Sequence, residues 1–149
     1  MINRAMIQDQ IALEKLQKFL QSNQLPHQDI PENINTKGRV FLGYYDDAGE
    51  LIGSGGLEMY GNSALLRSVA VKENVRGQQL GKKIVDDLVT QAKNSKINNI
   101  FLLTETAKDF FTKKGFTIVS RDEVPPQVRA SSEFTHVCPS SAICMFYKL

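Results

Sequence analysis

Tryptophan is absent from this 149-residue chain, and cysteine and histidine each occur only twice. Cys138 and Cys144 cannot build a disulfide framework, so a reducing, cytoplasmic setting is the expectation. His27 and His136 stand in no ligand spacing, and no metal site is expected. No segment approaches the roughly 20 continuous apolar residues of a membrane span. Arg4, Asp9 and Glu14 interrupt the N-terminal stretch, which argues against a signal peptide. Charge of one sign is scarce as well. Eighteen basic residues meet 16 acidic ones, a net +2, with no basic run and no interleaved aromatics, so nucleic acid is not an expected partner. At 42% hydrophobic, residues 1–149 suit one folded domain with a real core.

Hydrophobic periodicity orders the chain as βα(ββ)βαβαββ. Residues 2–7 read as a short strand, and Asp9 can N-cap a helix to about Asn23 with Leu13, Leu16, Phe19 and Leu20 on one face. Residues 25–31, rich in turn formers, break it. Residues 40–45 and 51–60 bracket Asp46-Asp47-Ala48-Gly49-Glu50 and read as a hairpin. Residues 64–72 form the next strand, and an amphipathic helix over 80–95 places Leu80, Ile84, Val85, Leu88, Val89 and Ala92 on one stripe. A strand at 99–103, a helix capped by Thr104 or Thr106 and closed by Gly115, and strands at 116–120 and 142–149 complete one α/β sheet. The Pro125-Pro126 region reads as a long loop.

Residues 65–83, LLRSVAVKENVRGQQLGKK, carry the chemistry. An apolar strand runs through a loop with Gly77 and Gly81 into a helix start. There, unpartnered N–H groups and the positive end of the dipole favour an anion, with Arg76, Lys82 and Lys83 adding charge. An ordinary strand–turn–helix junction with solvated basic residues fits the local pattern equally well. It is not a P-loop, since Arg76 stands where the first glycine belongs and Lys83 where a Ser or Thr belongs. Arg76-Gly77-Gln78-Gln79-Leu80-Gly81 after Val69-Ala70-Val71 resembles the acyl-CoA motif of the GCN5-related N-acetyltransferases (GNAT), with Gln79 at the usual middle glycine. Asp109 to Phe116 resembles the family's second signature, with Phe111 where many members have Tyr.

The resemblance implies a GNAT fold: a mixed sheet of about six or seven strands, flanked by helices, with a splay between the fourth and fifth strands. It implies acetyl-CoA as co-substrate. The backbone of Val69, Ala70 and Val71 would bond the pantetheine arm, and Arg76, Gly77, Gln78, Gln79, Leu80, Gly81 and Lys82 the pyrophosphate. Thr104 and Phe111 would lie beside the cofactor, and Phe111 leaves the thiolate without the usual tyrosine proton. Glu58 is the candidate base, against a solvated strand-end charge, with Glu105 as a second candidate. Strict alternation puts Arg67 and Val69 on one face of their strand, unless a bulge intervenes. Arg67 then suits a substrate oxyanion or, equally, an ion pair with Glu58.

Val128-Arg129-Ala130-Ser131 and Cys138-Pro139-Ser140-Ser141-Ala142, taken with 66–71, Leu102-Leu103-Thr104 and Phe110-Phe111, resemble the arsenic-resistance branch of the family, which includes arsinothricin N-acetyltransferases. That implies a small amino-acid acceptor of glutamate, arsinothricin or phosphinothricin type, with Arg67 and Arg129 for its two anionic ends. A non-catalytic acyl-CoA sensor, or transfer to a peptide or another amine, stays open. Many members dimerise, so a homodimer is compatible with the resemblance, although the sequence carries no signal of its own for one.

Overall fold

Asp9 accepts the Ala12 N–H on Oδ1 at 2.8 Å, and this cap starts helix α1 (Gln10–Ser22). Leu13, Leu16 and Leu20 are its buried face, as the periodicity predicts. The computed structural model describes residues 1–30, 38–77, 79–137 and 141–149. Gln78 and Cys138, both named from the sequence, lie outside the described residues.

Seven strands form one sheet: β1 (Asn3–Met6), β2 (Arg39–Tyr45), β3 (Leu51–Tyr60), β4 (Ser63–Val71), β5 (Asn99–Thr104), β6 (Thr117–Ile118) and β7 (Ile143–Lys148). Their order is β1-β2-β3-β4-β5-β7-β6, and only β4 and β5 run parallel. A parallel neighbour requires a crossover, which helix α2 (Leu80–Asn94) provides. Neighbouring residues of β2 show how the sheet is covered. Phe41 packs in the α1 cluster and Leu42 in the α2 cluster, so the two helices lie on opposite faces. Helix α3 (Lys108–Lys113) joins the α2 face through Phe110 and Phe111.

The segment around Pro125 departs from the expected loop. Ser120 and Glu123 cap a 3-10 turn at Arg121–Glu123 reciprocally, and Pro126 opens the one-turn helix α4 (Pro126–Arg129). A π-helical turn follows at Glu133–Val137. Val124 and Val128 bury against Leu65, Phe101 and Cys144, covering the part of the α1 face that α1 does not reach. Apolar burial, at about 1.5–3 kcal/mol for a fully buried valine, outweighs the segment's lack of long-range periodicity. Among the described residues no helix is long and apolar enough to cross a membrane.

Close packing of α2 onto β3 depends on Gly53 and Gly55. A Cβ on Gly55 would lie 2.6 Å from both Ile84 Cγ2 and Leu88 Cδ1. The Ile84 methyl sits on a stiff β-branched carbon and cannot swing away. Gly55→Ala is therefore expected to cost about 1–3 kcal/mol by overpacking, read as a lower urea midpoint at unchanged m-value. A midpoint equal to that of the unaltered chain would contradict this packing.

Candidate active site

Strands β4 and β5 pair only from Ser63 to Leu65 against Asn99 to Phe101. Beyond those residues each runs on, β4 to Val71 and β5 to Thr104, without pairing to the other. The parted edges open into a cleft of about 1270 Å³, whose walls include Val69, Ala70 and Val71 on one side and Leu103, Thr104 and Glu105 on the other. Unpaired strand edges are templates for an extended ligand, because their N–H and C=O groups have no sheet partner on that side.

A bulge shapes the β4 wall. Gly56 pairs with Arg67 and Ser54 with Ala70, so Ser68 and Val69 face the single residue Gly55. Ser68 takes φ +60°, and its carbonyl accepts the buried Ser54 hydroxyl at 2.7 Å. The extra residue breaks strict alternation. Arg67 and Ala70 turn toward the α1 face, with the Arg67 guanidinium 5.8 Å from the Phe41 ring, while Val69 and Val71 pack with the α2 cluster. The expectation that Arg67 and Val69 share a face is corrected by this one inserted residue.

At the cleft floor, Gly77 (φ +88°) and Gln79 (φ +67°) turn the chain into α2. The first intrahelical bond runs from Lys83 N to Gln79 O at 3.1 Å, so the N–H groups of Leu80, Gly81 and Lys82 precede the helical ladder and suit an anion. Gly77, Gln79, Leu80, Gly81 and Lys82 all line the cleft. Arg76 lines it too, but its guanidinium stitches the loop down: Nε donates to Val71 O at 2.9 Å and Nη2 to Asn23 Oδ1 at 2.7 Å. Thr104 Oγ1 accepts the Ala107 N–H at 3.0 Å, leaving its own O–H to donate. Phe111 packs edge-on to Phe110 and Phe116 at the same cleft. None of the four tyrosines is among the lining residues, so no phenol takes the place that Phe111 leaves.

Arg67 has a side chain with no solvent exposure, held by three carboxylates. Its Nη1 donates to Asp29 Oδ2 at 2.5 Å and to Glu58 Oε2 at 3.2 Å, and Nη2 donates to Asp29 Oδ1 at 2.8 Å. Nε donates to Ser68 Oγ at 3.1 Å, with Glu133 Oε2 at 3.2 Å from the same nitrogen. Burial works against both ends of this pair. Even so, the Arg67 bonds and charge hold Asp29 below its ordinary value of 3.8, and the bonds to Asp29 and the surrounding carboxylates raise Arg67. The ion pair with Glu58 considered from the sequence is present. Glu58 also accepts the Tyr60 hydroxyl at 2.8 Å and Arg39 Nε at 3.4 Å, and it is not among the lining residues. Burial, then the Glu58 carboxylate, pushes the Tyr60 phenol up to about 12. Arg129 sits exposed at the end of α4, outside the lining. Burial also pushes the Cys144 thiol up to about 11, leaving little reactive thiolate at neutral pH.

Sequence reading missed Asp29 and Glu133 as members of this cluster. The available signal was Arg67 itself. Flanked by Leu65, Leu66 and Val69 in an apolar strand, it has to be buried, and a buried guanidinium requires acidic partners.

Two outcomes follow. Because Asp29 titrates lower when folded than when unfolded, its contribution to stability is complete above about pH 4 and is lost as pH falls through the folded value. Asp29→Asn should flatten the acid limb of a stability-versus-pH curve, and an unchanged limb would contradict the Asp29–Arg67 coupling. Gln79 carries the steric cost of a left-handed backbone at the N-cap of α2. Gln79→Gly should therefore stabilise the chain by about 1 kcal/mol, seen as a raised thermal midpoint.

Residues 36–118 match the family model described as the acetyltransferase (GNAT) domain. An amino-acid acetyltransferase of Mycobacterium tuberculosis (strain ATCC 25618 / H37Rv) is 32% identical over 94 residues, which is 62% of this chain and 50% of that protein. The chain thus matches about half the length of that curated relative. An acetyltransferase of the GNAT family from Staphylococcus aureus Mu50 has a similar fold, with TM-score 0.81 at 22% identity over 100% of this chain and 99% of that one. N-acetylglutamate synthase from Neisseria gonorrhoeae, solved with coenzyme A and N-acetyl-glutamate, gives TM-score 0.79 at 16% identity, over 100% of this chain and 35% of that one. The parted β4 and β5, the left-handed turn into α2 and the family match over more than half of the chain agree: the chain belongs to the GNAT acetyltransferase family.

Proposed function

We propose that the chain transfers the acetyl group of acetyl-CoA to the α-amine of a small amino acid. The observation that carries this reading is the parting of β4 and β5 above the N-terminus of α2, which joins a strand-edge groove to an anion floor. Val69, Ala70 and Val71 offer that edge to the pantetheine arm, and the first-turn N–H groups of α2 receive the pyrophosphate. Transfer is by direct attack of the neutral amine on the thioester, with no covalent enzyme intermediate. Polarisation of the thioester carbonyl falls to backbone groups at the β4 bulge. With Phe111 in place of a tyrosine, the leaving thiolate takes its proton from the attacking amine or from water.

An amino-acid acceptor is supported by the amino-acid acetyltransferase relative and by the N-acetylglutamate synthase neighbour. The finer reading is an acceptor of glutamate, phosphinothricin or arsinothricin type, and it rests on the tail residues from Val128 to Ala142. Arg67 contributes to the acceptor end of the cleft as part of its carboxylate cluster rather than as a free guanidinium.

A CoA-release assay over glutamate, aspartate, phosphinothricin, arsinothricin, spermidine and a short peptide tests the reading. The expected result is turnover of the amino acids, with kcat/KM for the glutamate-like acceptors at least tenfold above spermidine and peptide. Preference for spermidine or peptide would replace the acceptor class. Tight acetyl-CoA binding without turnover of any acceptor would replace catalysis with acyl-CoA sensing.

A further inference from the structure

Glu58, the base expected from the sequence, is enclosed by two arginines and a tyrosine and is not among the residues that line the cleft. Of the three carboxylates gathered on Arg67, only Glu133 is both buried, at 3% exposure, and part of the cleft wall. It approaches Nε of Arg67 at 3.2 Å, and the same Nε donates to the hydroxyl of Ser68, the bulge residue. A carboxylate is therefore fixed one side chain away from the point where β4 presents its bulge to the cleft. The turn that carries it is π-helical, a wide backbone form that recurs at functional positions.

We propose that Glu133 is the catalytic carboxylate that receives the acceptor's ammonium and takes its proton, with Arg67 as the residue that positions it. This rests on the acetyl-transfer reading above, but it holds for any amine acceptor. The acceptor arrives as an ammonium, since α-amino groups titrate above neutral pH. An ammonium cannot attack, so one proton passes from nitrogen to a Glu133 oxygen. The freed lone pair forms the C–N bond to the thioester carbonyl carbon. Collapse then breaks the C–S bond, and the second amine proton leaves with sulfur as the free thiol. Glu133 returns its proton to solvent, so ammonium and thioester yield amide, thiol and one proton.

Asp29 and Glu58 keep Arg67 neutralised while Glu133 is engaged, through two hydrogen bonds and one respectively. The charged groups facing Glu133 include Arg67 on β4 and, through it, Asp29 before the second strand and Glu58 on β3, with Arg39 of β2 beyond Glu58. Glu105, past the end of β5, lines the same cleft.

Glu133→Gln, which keeps the shape and removes the charge, tests the assignment in the full chain. Acetyl-CoA affinity by calorimetry should stay within threefold. The affinity of the CoA-bound protein for the amino-acid acceptor should fall about tenfold. At pH 7 the acceptor kcat/KM should fall at least 100-fold, and the deficit should shrink toward pH 9 as the free amine appears without help. A kcat/KM within threefold of the unaltered chain overturns the proposal, as does a deficit that is the same at every pH. If Glu133→Gln fails to fold by thermal melting, Glu133→Asp carries the test. It should hold the pH profile with a lowered kcat, and an equal rise in KM for acetyl-CoA and acceptor would overturn the assignment. Absence of turnover by the unaltered chain, by contrast, sinks the acetyl-transfer reading itself.

Discussion

Two parallel strands that stop pairing partway along their length impose the organisation of this protein. After Leu65 and Phe101 the peptide groups of β4 and β5 lose each other as partners, and in a folded chain such groups require water or a ligand. The sheet therefore contains a wedge lined by main-chain donors and acceptors on both sides. The elements around it serve that wedge. Helix α2, needed to connect the parallel pair, directs its N-terminus at the wide end. The glycines of β3 let that helix lie close on the sheet, which fixes how far the anion floor stands from the strand edge.

The bulge at Ser68 and Val69 is the second constraint. It turns Arg67 away from the valines that line the wedge and into the α1 face, where a charged group can exist only with counter-charges. Those counter-charges come from three separate stretches: Asp29 after α1, Glu58 on β3 and Glu133 in the C-terminal tail. One guanidinium thus ties the helix-to-strand connection, the sheet and the tail together beside the β4 bulge. Such a buried cluster adds little net stability over an apolar core of equal volume, but it fixes where its members stand. That trade suits the role proposed for Glu133, which needs one fixed geometry.

Much of this was legible in the sequence, for physical reasons. The stripes of α1 and α2 and the apolar run of β4 are set by local periodicity, so their elements and faces could be read directly. The left-handed backbone at Gln79 was signalled only by its place at the motif's middle glycine, because a glutamine by itself gives no sign of a positive φ. Glu58 appeared as a base because the strand pattern put it near the cleft, while its partners Arg39 and Tyr60 come from register that periodicity does not encode. The bulge could be allowed for but not located, for a related reason: one inserted residue changes the faces of a strand without changing its composition. Glu133 lay in a stretch read as loop, and its approach to Arg67 spans most of the sheet in sequence separation.

The wedge between β4 and β5 is the proposed seat of the acyl-CoA. Amide hydrogen exchange on the full chain, with and without saturating acetyl-CoA, measures this most directly. Acyl-CoA seated there should slow exchange at Val69 to Val71 and at Gln79 to Lys82, where strand-edge and helix-terminal N–H groups gain a partner. Acetyl-CoA bound with unchanged exchange at both segments, or with protection confined to another surface, would contradict it.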